Sequence, residues 1–166
     1  YLPNDLSRST AVLELNYHLE KMSGSALPLK ILSDTQSISG PAIILGRLAN
    51  ALGASPDVQS PSAEGFRIVV QGDRVLIGAE GDIGLQHGVY EFLRRLGVDW
   101  VMPGEIGEII PERRTVAVAP MDISQFPEFQ FRRLWYRGFR PRSPEANVRF
   151  GLWQQRHKGG GPVHIV

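Results

Sequence analysis

Val12, Leu15, Leu19 and Met22 recur at the three- and four-residue spacing of one helix face, which predicts a helix over residues 9–23. Glu14, Asn16, His18, Glu20 and Lys21 fall on its other faces, and Gly24 is the natural stop. Residues 27–32 read as extended and 33–40 as a polar loop. The unbroken apolar run Ala42, Ile43, Ile44, Leu45 lies between Pro41 and Gly46 and suits a strand buried on both faces. A short helix over 47–52 and a Ser/Pro/Ala-rich surface loop over 54–65 follow. Residues 66–70 and 74–78 are two apolar, β-branched runs joined by Gln71, Gly72 and Asp73, the pattern of a β-hairpin.

The longest periodic segment comes next. Leu85, Val89, Phe92, Leu93 and Leu96 form a single apolar stripe, with Asp82 as expected N-cap and Gly97 closing the helix. Gly84 and Gly88 lie one turn apart and predict a close backbone approach, whereas His87 lies off the stripe, as a surface or ordinarily hydrogen-bonded histidine. Short strands are expected over 98–102, 108–111 and 115–118, the last two flanking a turn at Arg113 and Arg114. Residues 1–120 therefore read as one α+β unit, a mixed β-sheet with two main helices packed on it. Around Pro120 to Pro127 the composition changes, and residues 121–166 read as a separate extended tail: a linker over 126–131, a strand starting at 132–138, a helical turn within 150–156 and the loop Gly159 to Gly161.

Composition narrows the function classes. With 166 residues, 42% hydrophobic and 21% charged, the chain can bury a core without cross-links. A net charge of +1 argues against a phosphate-tracking nucleic-acid surface, although arginines cluster late, from Arg132 to Arg156. The absence of cysteine removes thiol chemistry and thiolate metal sites, and no run approaches the ~20 apolar residues of a membrane span. The chain starts at Tyr1 rather than methionine and ends as an apolar segment begins, so it is expected to be part of a longer polypeptide.

Candidate chemistry is sparse. The four histidines, His18, His87, His157 and His164, form no HExxH motif, and the last two are separated by a Gly-rich bend that suits no rigid metal site. No metal or cofactor is expected. Gly159 to Gly161 lack the Lys-Ser/Thr that a phosphate loop carries, and the glycines at 78, 81 and 84 miss the dinucleotide spacing and sit beside Glu80 and Asp82. Glu105 and Glu108 are candidates for the carboxylate pair of glycoside chemistry, in a turn where solvated charge is the plainer reading. Trp135, Tyr136 and Trp153, with arginines beside them, are the best candidates for stacking on sugar rings and gripping hydroxyls.

The ordered pieces from Gly65 to Pro111 resemble a known domain. The hairpin at Phe66 to Ile68 and Val75 to Ala79, the helix from Gly84 to Leu93 and the return from Gly97 through Trp100 to Gly104 are similar to the small N-terminal domain preceding the barrel of family 20 β-N-acetylhexosaminidases and family 67 α-glucuronidases. The similarity is greatest to the version in large bacterial proteins of the same two-part layout. The early helix ending at Gly24 and the strand at Ile43 to Leu45 fit in order, so the resemblance covers roughly residues 9–120. It implies a zincin-like fold, akin to the second domain of β-hexosaminidases, without a metal site or established catalytic role. It also implies export to the periplasm or cell exterior. In family 20 the linker leads into a strand whose arginine holds sugar hydroxyls. Here Phe126, Pro127, Phe129 and Phe131 bring Arg132 to that place, but Arg133 stands where the family has glycine, so Arg137 before Gly138 competes for the role.

The expected function is a non-catalytic scaffolding domain of a bacterial glycoside-hydrolase-like enzyme, inactive alone. Its partner is the downstream barrel of the same polypeptide, with carbohydrate contacts assigned to Arg132, Trp135 and Arg137 and no catalytic residue in the chain. The alternative is a stand-alone carbohydrate-binding or protein-interaction module with an exposed platform built from Trp100, Trp135 or Trp153. Residues 121–166 are expected to be mobile or packed on a neighbour, because a lone barrel strand lacks partners.

Overall fold

The computed structural model describes residues 9–35, 38–57, 59–132 and 143–159. Helix α1 (Thr10–Ser23) starts at Ser9, whose hydroxyl accepts from the Val12 amide, and stops at Gly24. Strand β1 (Ala42–Leu45) leads into α2 (Arg47–Ala49), which continues as a wider turn over Asn50–Ala54. The hairpin forms as read, with β2 (Phe66–Gln71) and β3 (Arg74–Ala79) paired antiparallel through Ile68 and Ile77. Helix α3 (Asp82–Arg95) follows, then β4 (Asp99–Trp100), β5 (Glu108–Ile109), β6 (Met121–Gln125) and α4 (Pro144–Arg156).

The main sheet runs β1-β3-β2-β6, with β1 parallel to β3 and the other pairs antiparallel, and β4 with β5 forms a separate two-stranded ribbon. This is the mixed α+β architecture expected from the sequence. The period-two alternation of β3 explains its two cores: Val75 and Ile77 join α1 and α3 in the larger one, whereas Leu76 faces the smaller one with Ile44, Leu48 and Ala54. β1 alternates the same way, Leu45 to one core and Ile44 to the other, as its unbroken apolar run predicts.

The glycine pair of α3 works by close approach. A Cβ on Gly84 would lie 2.5 Å from the Gly65 carbonyl oxygen, and one on Gly88 would lie 2.8 Å from Ile77 Cγ2 and 3.2 Å from Phe66 Cβ. The helix therefore rests directly on the start of β2. Gly84→Ala is expected to cost about 1 to 3 kcal/mol, because it meets rigid backbone rather than a side chain that can turn away. Urea denaturation of the variant checks this, and an unchanged midpoint would mean that α3 is not seated as described.

Four local expectations are corrected. Gly81, extended and without a side chain, is the N-cap of α3, and Asp82 is its first helical residue, where its charge favours the helix dipole. The strand expected over 98–102 is reduced to Asp99–Trp100, because residues 101–107 close into a turn. Residues 115–118 form no strand; Val116 and Val118 pack on the main core as irregular chain. Residues 121–125, placed beyond the boundary at 120, form β6, the fourth strand of the main sheet. Its Asp122 accepts from Arg67 Nε at 2.8 Å and Nη2 at 2.9 Å.

The tail is also more than extended chain. α4 has 13 residues, capped by the Ser143 hydroxyl accepting from the Ala146 amide, with Pro144 at its first position. It has no core of its own and packs against α3, with Trp153 on the main core and Arg149 over Gly104. The strand expected from 132–138 lies mostly outside the described residues.

Candidate functional site

Among the described residues, two convergences of polar side chains join the α+β unit to the segment after Phe126. The first surrounds Trp100, which is fully buried where α1, α3, α4 and the β4–β5 ribbon meet. The Trp100 indole N–H donates to His18 Nε2 at 3.1 Å, while His18 Nδ1 donates to the Glu14 carbonyl at 2.7 Å. These partners fix the tautomer, and burial holds His18 below its ordinary pKa despite the opposing pull of Glu14.

Arg156 enters this site from the end of α4. Its Nε and Nη2 donate to the Glu14 carboxylate at 2.7 and 3.1 Å, and its Nη1 donates to Glu108 at 2.7 Å. Its guanidinium carbon lies 5.4 Å from the centroid of the Trp100 ring. Tyr17 donates to the other Glu108 oxygen at 2.9 Å, and burial followed by this carboxylate pushes the phenol up to about 12. The Trp100 carbonyl takes two donors from the same end of α4, Trp153 Nε1 at 2.7 Å and His157 Nε2 at 2.8 Å. His157 Nδ1 in turn accepts from Arg94 Nη2 at 2.8 Å.

The second place lies beside the first turns of α3. Glu64 and His87 are buried there, with His87 Nδ1 3.8 Å from a Glu64 carboxylate oxygen. Arg132 closes this pocket. Its Nη2 donates to Glu64, its Nη1 to the Phe129 carbonyl, and its Nε to the Lys158 carbonyl at 2.8 Å. Lys158 donates to Glu91 at 2.8 Å and to Gln125 at 3.2 Å. Burial, then the positive charges of Arg132 and Lys158, push His87 down to about 4. Burial raises Glu91, but Lys158 and Arg95 outweigh it and hold the carboxyl below its usual value.

These contacts locate the residues singled out in the sequence. Arg132, assigned to sugar hydroxyls by resemblance, spends Nε, Nη1 and Nη2 on its own chain. Trp135, Tyr136, Arg137 and His164 lie outside the described residues. Glu108 is held by Arg156 and Tyr17, while Glu105 is exposed in the turn before it. His18 and His87, read on polar helix faces, are buried, because Trp100 and Glu64 supply tertiary partners that no helical pattern reveals. Glu80 caps the loop instead of facing a ligand. Its carboxylate accepts from the Ser60 amide, the Ser60 hydroxyl and the Gly65 amide at 2.6 to 2.7 Å, and these bonds outweigh burial and lower its pKa. Among the described residues no three of His, Asp and Glu converge to hold a metal ion, and no helix is long and apolar enough to cross a membrane.

No family model and no curated protein matches the sequence. Among solved structures the chain is similar to a family GH115 4-O-methyl-α-glucuronidase with specificity for decorated arabinogalactans, at a TM-score of 0.65 and 16% identity. The match covers 95% of this chain and 24% of that one, so the chain spans about a quarter of that enzyme's length. At this identity the likeness establishes the fold, an α+β architecture found within a glycoside hydrolase.

Proposed function

We propose that this chain is a non-catalytic scaffolding portion of a bacterial, exported carbohydrate-active enzyme of glycoside-hydrolase type. It would resemble the domains preceding the barrel in family 20 and family 67 enzymes. Its task is to hold the start of the following catalytic domain against a rigid α+β unit. The observation that carries this reading is that Arg132, Arg156 and Lys158, all in the segment after Phe126, are each paired with a carboxylate of the α+β unit. Side chains engaged in this way join two parts of one polypeptide and leave little for acid–base work. The likeness to about a quarter of a glucuronidase supports the same assignment.

The purified 166-residue chain is expected to give no turnover of aryl glucuronides or aryl N-acetylhexosaminides above the uncatalysed rate. Turnover abolished by Glu105→Gln would overturn the proposal. The competing reading, a free-standing carbohydrate-binding module, needs an exposed aromatic platform. Trp100 has no exposed surface, and Trp153 packs edge-on against His157 with its indole N–H engaged. Calorimetric titration with soluble oligosaccharides distinguishes the two, since heat at millimolar ligand would favour the module.

A further inference from the structure

The turn between β4 and β5 is built in an unusual way. It is closed internally, with the Val101 amide donating to the Gly107 carbonyl at 2.9 Å and the Gly107 amide donating to the Gly104 carbonyl at 3.0 Å. Gly107 lies so close to Met102 that a Cβ there would sit 2.1 Å from the Met102 carbonyl oxygen. The turn is therefore a compact, internally tied knob rather than a slack loop. Three apolar side chains of the turn and one of β5 face outward: Val101 is 56% exposed, Met102 50%, Ile106 95% and Ile109 52%. Single exposed apolar residues are ordinary, but three on one short turn with a fourth on the adjoining strand form a patch that calls for a partner.

The turn adjoins the tail, with the aliphatic stem of Arg149 of α4 passing over Gly104. The knob thus lies where α4 docks, next to the buried Trp100 site. Glu105 of the turn and Arg149 of α4, both exposed, add charge beside these apolar side chains, as a polar rim does at an interface. No aromatic ring belongs to the patch, so it lacks the stacking face that a sugar would use.

We infer that the knob formed by Val101, Met102 and Ile106, with Ile109 beside them, is the surface on which the following catalytic domain of the same polypeptide packs. The inference rests on the proposed function, and it names the part of the scaffold that makes the contact. Two observations favour this occupant over a second copy of the chain. The patch adjoins an intramolecular seam already formed by α4, and the structurally similar glucuronidase devotes roughly three quarters of its length to parts beyond this fold.

The test uses the full-length polypeptide with a photo-crosslinking amino acid at position 106, irradiated at low concentration and mapped by mass spectrometry. Crosslinks within one polypeptide, to residues beyond 166, are expected. Crosslinks between two polypeptides, or none at all, would overturn the inference. Ile106→Glu supplies a second readout. In the 166-residue chain it should leave the melting midpoint unchanged, because the side chain touches almost nothing, whereas in the full-length protein it should increase protease cleavage between the two parts several-fold. Unchanged cleavage would also overturn it. The aryl-glycoside assay on the short chain reports independently on the proposed function, so a catalytically inert short chain whose knob gives no intramolecular crosslink would separate failure of this inference from failure of that one.

Discussion

Replacing Arg156 by alanine is expected to lower the stability of the chain by about 3 to 5 kcal/mol. Arg156 is itself 5% exposed, and it reaches two carboxylates, Glu14 on α1 and Glu108 on β5, whose side chains are 12% and 8% exposed. Removing the cation leaves both carboxylates buried without a counter-charge, and that uncompensated burial, more than the lost attraction, sets the cost. Water reaching the vacated space would solvate them in part, which favours the lower end of the range. The triple variant Arg156→Met, Glu14→Gln, Glu108→Gln should lose less than Arg156→Ala, since no charge is then left buried. Urea unfolding followed by tryptophan fluorescence measures both losses, and Trp100 and Trp153 lie at the affected joint. A loss under about 1 kcal/mol for Arg156→Ala would mean that the site is wet and that α4 is not anchored there.

This joint shows where sequence reasoning runs out. The pairing of Arg156 with Glu14 links residues 142 positions apart, and nothing in the local pattern around either residue indicates the other. Periodicity reports which face of an element is apolar. It identified α1, the β2–β3 hairpin and α3, and it identified β1 through an apolar run that faces two cores. It also flagged Gly84 and Gly88, because a bare backbone position in a helix has few explanations other than close packing. It could not place His18 or His87, since a polar residue on a helix becomes buried only when another element supplies its hydrogen-bond partner. It also missed β6, whose residues are alternately half-buried and exposed and whose outer neighbour is solvent rather than core.

The candidate site was legible in part for the same reason. The late cluster of arginines was visible and suggested ligand contacts. The structure directs Arg132 and Arg156 inward, onto carboxylates of the preceding unit, so the basic excess of the tail is matched by acids from Glu14, Glu64 and Glu108. A cluster of like charge in one segment is thus a statement about the segment's partner, and here that partner belongs to the same chain. Of the exposed apolar residues here, Val101, Met102 and Ile109 lie in runs that read as strands, and Ile106 in the turn between them. The Val101–Gly107 hydrogen bond ends the first strand early and leaves Val101 and Met102 in a turn, exposed.

Acid should destabilise the chain well above the pH at which surface carboxylates are neutralised, with His87 as the largest single contributor. Its folded pKa is pushed from 6.5 down to about 4, by burial first and then by Arg132 and Lys158. The charges facing it come from three directions: Glu64 and Arg132 across the pocket, Lys158 beyond the end of α4, and Glu91 on α3 holding Lys158. Because the unfolded chain takes up the proton near pH 6.5 and the folded chain does not, stability is complete above that pH and declines as the pH falls toward 4, below which the loss levels off. Over that window His87 should account for about 3 kcal/mol, and for about 2 to 3 kcal/mol by pH 4.5. His18, also held low by burial, adds a loss of the same sign, and Glu91, held low by its cations, adds another only as the pH falls below its ordinary value of 4.5. His87→Gln isolates the term. Whatever its stability at pH 7, its further loss between pH 7 and 4.5 should be about 2 kcal/mol smaller than that of the unsubstituted chain. Equal losses in the two proteins would show that His87 titrates normally and that the pocket closed by Arg132 admits water.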